Sequence, residues 1–287
     1  MHLATIRTGD TTVAVTRTER DGAQVLVALP HADLGELLSD PDGLSTAAAV
    51  TRGEQPGGAV YNEGAVEFAA PVPAPSKVVC VAHNYGQHLT KLGLPVPQHP
   101  RLSTKFASSL IGPHDPITLP ADARTLDCAA ELAIVIGASV RHADDASAAA
   151  AIAGFTVIND VVDRDLEFEA HEWGTGNVWD GCTPVGPYLV TPDALPGAEF
   201  PQVKLSTTID GTVVQEASTA DLHFDPIHLV RRISRFLTLA PGDIIATGSP
   251  SSPGADHGLH LTPGQEIVTE IEGIGACRNR VAAMAVD

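Results

Sequence analysis

The chain has 287 residues, 44% of them hydrophobic and 18% charged, which suits one large domain or a small domain followed by a catalytic-sized one and excludes an intrinsically disordered chain. Against 17 Lys and Arg stand 35 Asp and Glu, a formal net charge of −18. A surface that acidic repels phosphate backbones and anionic headgroups, so neither nucleic acid nor membrane is an expected partner.

The longest apolar runs, such as Ala148–Ala153 and Val281–Val286, are far shorter than the ~20 residues of a bilayer span. No basic segment leads into an apolar one at the start of the chain, and a cytoplasmic protein is expected. Cys80, Cys128, Cys182 and Cys277 lie too far apart for a CxxC pattern and read as buried small hydrophobes.

From Leu3 to Ala28 short alternating pieces (Ala4-Thr5-Ile6, Thr12-Val13-Ala14-Val15, Val25-Leu26-Val27) are separated by Gly9-Asp10 and Asp21-Gly22, which predicts a small antiparallel meander. A helical patch follows around His31–Leu38. Pro71-Val72-Pro73-Ala74-Pro75-Ser76 is a stiff, extended connector. It sets a boundary near residue 70, with a small β-rich domain over 1–70 and the main domain over 71–287.

Beyond it the pattern is mostly strand: Lys77–Ala82, Ala130–Ile136, Phe155–Ile158, Pro187–Val190, Val203–Ile209, Ile244–Thr247 and Gln265–Ile271, punctuated by Gly and Pro. Two helices stand out. Asp144-Asp145 precedes the Ala-rich Ala146–Ala153, and Asp225-Pro226 precedes Ile227–Leu237, a capping Asp ahead of Pro at the first helical position. Strands without regular βαβ alternation predict an α+β, mainly β architecture rather than a doubly wound sheet.

Glu131 stands at the head of Leu132-Ala133-Ile134-Val135-Ile136, and Asp160 ends Phe155-Thr156-Val157-Ile158-Asn159. A carboxylate on a buried strand is costly unless paired or bound to a cation, which makes both candidates for a metal or an acid/base pair, with a salt bridge to Arg164 or a cap as the structural alternative. Thr247-Gly248 follows the Asp243–Ala246 strand, where a hydroxyl and free backbone N–H groups can hold a carboxylate. His83, Asn84, Tyr85 and His88 close the Lys77–Ala82 strand and cluster hydrogen-bonding groups, with polar surface loop residues as the alternative reading. His171, His223, His228, His257 and His260 have no ligand spacing and read as surface residues.

Taken together, these blocks resemble the fumarylacetoacetate hydrolase family. The resemblance runs through Lys77–Val81 into Asn84-Tyr85 and His88, Lys105-Phe106 with Ser108–Pro113, and Asp127–Gly137. It continues through Asn159-Asp160-Val161-Val162-Asp163-Arg164-Asp165, Pro184–Pro187, Leu239–Pro250 and Glu272–Gly275, in order over roughly residues 70–285. It implies a twisted mixed β-roll, a homodimer, and Mg²⁺ or Mn²⁺ held by three carboxylates, with no organic cofactor. It also implies enolate chemistry on a 2-oxo acid or β-dicarbonyl substrate: hydrolysis, decarboxylation, hydration or isomerisation.

Carried over by the resemblance, Glu131 and Asp160 match two metal ligands, while Ala129 occupies the place of the first. Asn177 falls where the family has an active-site Lys, Glu167 where it has a substrate-binding Gln, and Lys91 where a His-x-x-Glu dyad would place the Glu partner of His88. Tyr85, Lys105, Arg164, Thr247 and Gly248 match as substrate-binding positions. Two carboxylates bind a hard cation more weakly than three; Asp127 and Glu167 are the acidic residues placed to substitute. The first expectation is therefore C–C bond hydrolysis or decarboxylation through an enolate at a weakened metal site. A metal-independent isomerase, dehydratase or cyclase, in which Glu131 and Asp160 form an acid/base pair with His88 as a second proton carrier, is the alternative. A catalytically silent binding protein is the third.

Overall fold

The computed structural model describes residues 1–20, 22–119, 125–169, 173–196 and 200–283; Asp21, His171 and the end of the Val281–Val286 run lie outside the described residues. Its centre is an antiparallel pair of long strands, Leu126–Ile136 and Ile152–Asp163. Every residue of the first is buried, and of the second only Asp160 is partly exposed. A continuous apolar run of this kind is a strand covered on both faces, and the mixed, mainly β architecture expected from the sequence is what forms.

Among the described residues one sheet of eleven strands contains this pair. On one side Leu126–Ile136 pairs with Ile244–Ala246, which pairs in parallel with Val78–Ala82, itself antiparallel to Arg101–Lys105. On the other side Ile152–Asp163 joins Leu189–Val190, which pairs with His2–Thr8 and so with the meander of Thr11–Arg20 and Ala23–Ala28. The meander is thus a continuation of the main sheet.

A second sheet of five strands, built on Lys204–Ile209, Glu266–Ile271 and Gly275–Ala283, packs across the long pair. Leu205, Ile271 and Cys277 share one core with Ala130, Leu132 and Val157. Leu3, Leu34, Leu37, Val135 and Leu189 form another. Removing such side chains from water stabilises by about 25 cal/mol per Å² of apolar area. The four cysteines are free and buried.

The expected helices form with their caps. Asp144 accepts from Ser147 N while Ser147 reaches back, a reciprocal box that starts Asp145–Ala151, and Asp225 accepts from His228 N at 2.7 Å to start Pro226–Ile233. The latter stops short of Leu237 because the chain turns at the buried Ser234, whose carbonyl accepts from His142 N and whose hydroxyl accepts from Ala143 N. Gly43–Thr51 and Gly86–Lys91 are further helices; neither has a side-chain cap bond that marks its start.

Candidate active site

Strand register places the two central carboxylates. Asp160 lies directly opposite Ala129, and Glu131 opposite Ile158. Opposed and alternate residues share a face, so Glu131 and Asp160 stand diagonally on one face with the Ala129 methyl beside them. Both line a cavity of about 190 Å³, together with His88, Arg164, Glu167 and Asn177.

Each carboxylate has its own support. Gly248 N–H donates to Glu131 Oε2 at 2.9 Å, and Lys105 Nζ lies 2.9 Å from Asp160 Oδ1. Lys105 is itself buried and donates to the carbonyls of Val161 at 2.8 Å and Asn177 at 3.2 Å. Burial first, then the neighbouring Asp160 charge, pushes the Glu131 carboxyl well above its ordinary range; the Gly248 N–H, Lys105 and Arg164 oppose the shift. Position 248 must be glycine: φ is +101°, and a Cβ would meet Val81 O at 2.7 Å.

Several expected roles change in the structure. Asp160 pairs with Lys105, not with Arg164. The Gly248 N–H is taken by Glu131, and neither Gly248 nor Thr247 lines the cavity, while the buried Thr247 hydroxyl has no partner among the described residues. Tyr85 and Lys105 are likewise buried and do not line the cavity. Burial raises the Tyr85 phenol, whose hydroxyl has no partner among the described residues. Asn84 is structural: its side chain donates to Phe224 O and Thr247 O and accepts from Phe224 N.

Arg164 lines the cavity already engaged, with Nε 3.2 Å from Asp127 Oδ2, Nη1 2.8 Å from Glu167 Oε2 and Nη2 3.0 Å from Ser252 Oγ. Asp127 also accepts from Gly254 N at 2.7 Å and from Ser252 Oγ. Asp127 and Glu167 are therefore committed to Arg164 and do not stand in for a missing metal ligand. Asn177 Nδ2 donates to Ser103 Oγ at 3.1 Å.

Lys91, which replaces an expected acid, pairs with Asp256 at 2.8 Å. Asp256 also lines the cavity with His88. Burial lowers the His88 imidazole, the Asp256 carboxylate works against that, and Arg164 and Lys91 add to it. Its Nδ1 has no partner among the described residues. Asp256 was not legible beforehand, since it sits on the short helix Pro253–His257 far along the chain; only the charge reversal at Lys91 hinted at an acid nearby.

The donor set does not match the divalent cation that the resemblance implies. No group of three or more His, Cys, Asp or Glu side chains placed to hold a metal occurs among the described residues. The third ligand's place holds a methyl group, and an ammonium already neutralises Asp160. A hard cation needs several oxygen donors in octahedral array, and these residues do not fit a three-carboxylate site.

Residues 77–282 match the fumarylacetoacetate (FAA) hydrolase C-terminal family, and the chain belongs to it. Human "Oxaloacetate tautomerase FAHD2A, mitochondrial" is 39% identical over 220 residues, covering 75% of this chain and 69% of that protein. Among solved structures, a 5-carboxymethyl-2-hydroxymuconate delta-isomerase from Mycobacterium smegmatis superposes with TM-score 0.78 at 30% identity over the whole of both chains. A fumarylacetoacetate hydrolase from Exiguobacterium antarcticum does so with TM-score 0.82 at 30% identity, covering 99% of this chain and 100% of the other. No helix among the described residues is long and apolar enough to cross a membrane.

Proposed function

We propose that the chain is an isomerase of this family that moves a proton between carbon and oxygen of a small 2-oxo acid or β-dicarbonyl compound, without a metal. The observation that carries this reading is Glu131, a buried carboxyl lining the cavity and pushed toward its protonated form by burial and by Asp160. Gly248 N–H occupies one of its oxygens, leaving the other to hold a proton. Such a group can protonate an enolate oxygen, and positioned proton transfer contributes about 10²–10⁴-fold in rate.

In this reading Glu131 is the acid at the substrate carbonyl oxygen, and Asp160, held by Lys105, sustains the proton on Glu131. His88, kept neutral by burial, takes the α-carbon proton. Asn177 orients the substrate through its amide. The tautomerase and the isomerase among the similar proteins support isomerisation over the C–C bond hydrolysis or decarboxylation expected first. So does Asn177, which brings no charge where the family places a Lys.

The test is ketonisation of enol-oxaloacetate, followed by loss of its ultraviolet absorbance in the presence of EDTA. The reading expects turnover that falls about 10²-fold or more in Glu131→Gln; full activity in both Glu131→Gln and Asp160→Asn would overturn it. A second reading keeps Mg²⁺ or Mn²⁺ on Glu131 and Asp160, because the two carboxylates share one face and one cavity; it expects activity that EDTA abolishes. Thermal stabilisation by oxo-acids with no turnover under either condition would point to a binding protein.

A further inference from the structure

Three arginines occur within five residues, Arg231, Arg232 and Arg235, in a chain whose net charge is −18. They line one side of a second cavity, of about 510 Å³. Its other walls are Gln98-His99 and His142-Ala143, and His228 lies on the same helix as Arg231. No acidic side chain lines it among the described residues. The catalytic cavity, with Glu131, Asp160, Glu167 and Asp256, has the opposite character.

Hydrogen bonds anchor the backbone of the His142-Ala143 wall. Ser234, buried at the end of the helix Pro226–Ile233, accepts from His142 N at 2.9 Å and from Ala143 N at 3.1 Å, and its carbonyl also accepts from Arg141 Nη1 at 2.8 Å. His142 is held there at φ 53°, a left-handed conformation uncommon for a residue with a side chain. Next to the Gln98-His99 wall, His223 Nε2 lies 3.2 Å from Pro97 O. His228 stacks on Phe224 with ring centroids 4.9 Å apart.

Cations near a helix C-terminus offset the dipole there, and this accounts for a first arginine. Arg231 is in addition neutralised by Asp145 at 2.9 Å. Arg232 and Arg235 have no ion-pair partner among the described residues. Dipole compensation accounts neither for two further guanidinium groups without ion-pair partners nor for their lining one cavity together with His99, His142 and His228. Guanidinium forks match phosphate and carboxylate oxygens bidentately.

We infer that this cavity is a binding site for a small, multiply charged anion bearing phosphate or carboxylate groups, separate from the catalytic cavity. Calorimetric titration of the full chain at fixed ionic strength tests it, with pyrophosphate in one arm and citrate in the other. Saturable one-site binding is expected in at least one arm, and the arm that binds more tightly identifies the source of the anion. The double variant Arg232→Gln/Arg235→Gln should weaken it at least about tenfold, with an unchanged melting temperature in the absence of anion, and Glu131→Gln should titrate as the natural chain does. If the double variant is unstable, His142→Ala provides the same comparison. Heats that fail to saturate in both arms, binding unchanged by the arginine variant, or binding lost in Glu131→Gln would each overturn the inference.

Discussion

Glu131 and Asp160 stand diagonally across one antiparallel strand pair, each held by a different partner: Gly248 N–H for the first, the Lys105 ammonium for the second. Burial and the neighbouring Asp160 charge favour the protonated form of Glu131. Stability should therefore depend on pH with a definite sign. Glu131 binds its proton more tightly folded than unfolded, so stability is lost as pH rises from its ordinary 4.5 toward the raised value. Melting temperatures measured across that window should fall with pH in the natural chain and fall less steeply in Glu131→Gln.

Lys105→Met should be severe. The side chain is fully buried and its charge is shared between Asp160 and two carbonyls. Removing one member of a buried pair costs about 3–5 kcal/mol, because the other is left uncompensated. Adding Asp160→Asn should restore part of that loss, and chemical denaturation of the two single variants and the double variant measures the coupling.

The Lys91–Asp256 pair should affect proton chemistry with little effect on stability. Lys91 is more than half exposed, and such pairs are worth about 0–1 kcal/mol. Asp256→Asn removes the group that raises the His88 imidazole, and Lys91→Gln removes one that lowers it. Nuclear magnetic resonance titration of His88 should shift to lower pH in the first variant and to higher pH in the second.

Ala129→Glu should create a cation site. It places a third carboxylate opposite Asp160 and two residues from Glu131 on the same face. Without metal the added buried charge should lower the melting temperature. Millimolar Mg²⁺ or Mn²⁺ should restore it, while leaving the natural chain's melting temperature unmoved.

Much of the scaffold was legible because its signals are local. The apolar run around Leu132–Ile136, the capping Asp225 with Pro226 and the alternation of Thr12–Val15 each fix an element within a few residues. The two carboxylates were legible because an acid on such a strand demands a reason. The pairing of Lys105 with Asp160, the capture of Asp127 by Arg164 and Ser252, and the arrival of Asp256 beside His88 depend on side chains distant in sequence, which no local pattern encodes. Gly43–Thr51 escaped for a different reason: Asp42 makes no capping bond there, so the helix rests on packing of Ala47 and Val50 against the meander core.

The register in which Leu3 pairs with Leu189 bears on how the molecule comes to exist. At about 5–20 residues per second, the strand His2–Thr8 is synthesised roughly ten to forty seconds before the segment that completes its ladder. Its other partners among the described residues, Thr11–Arg20 and Glu67–Phe68, are made earlier. Contacts this remote in sequence close slowly, and until they close the edge at His2 and Leu3 that Leu189 and Val190 cover is unpaired.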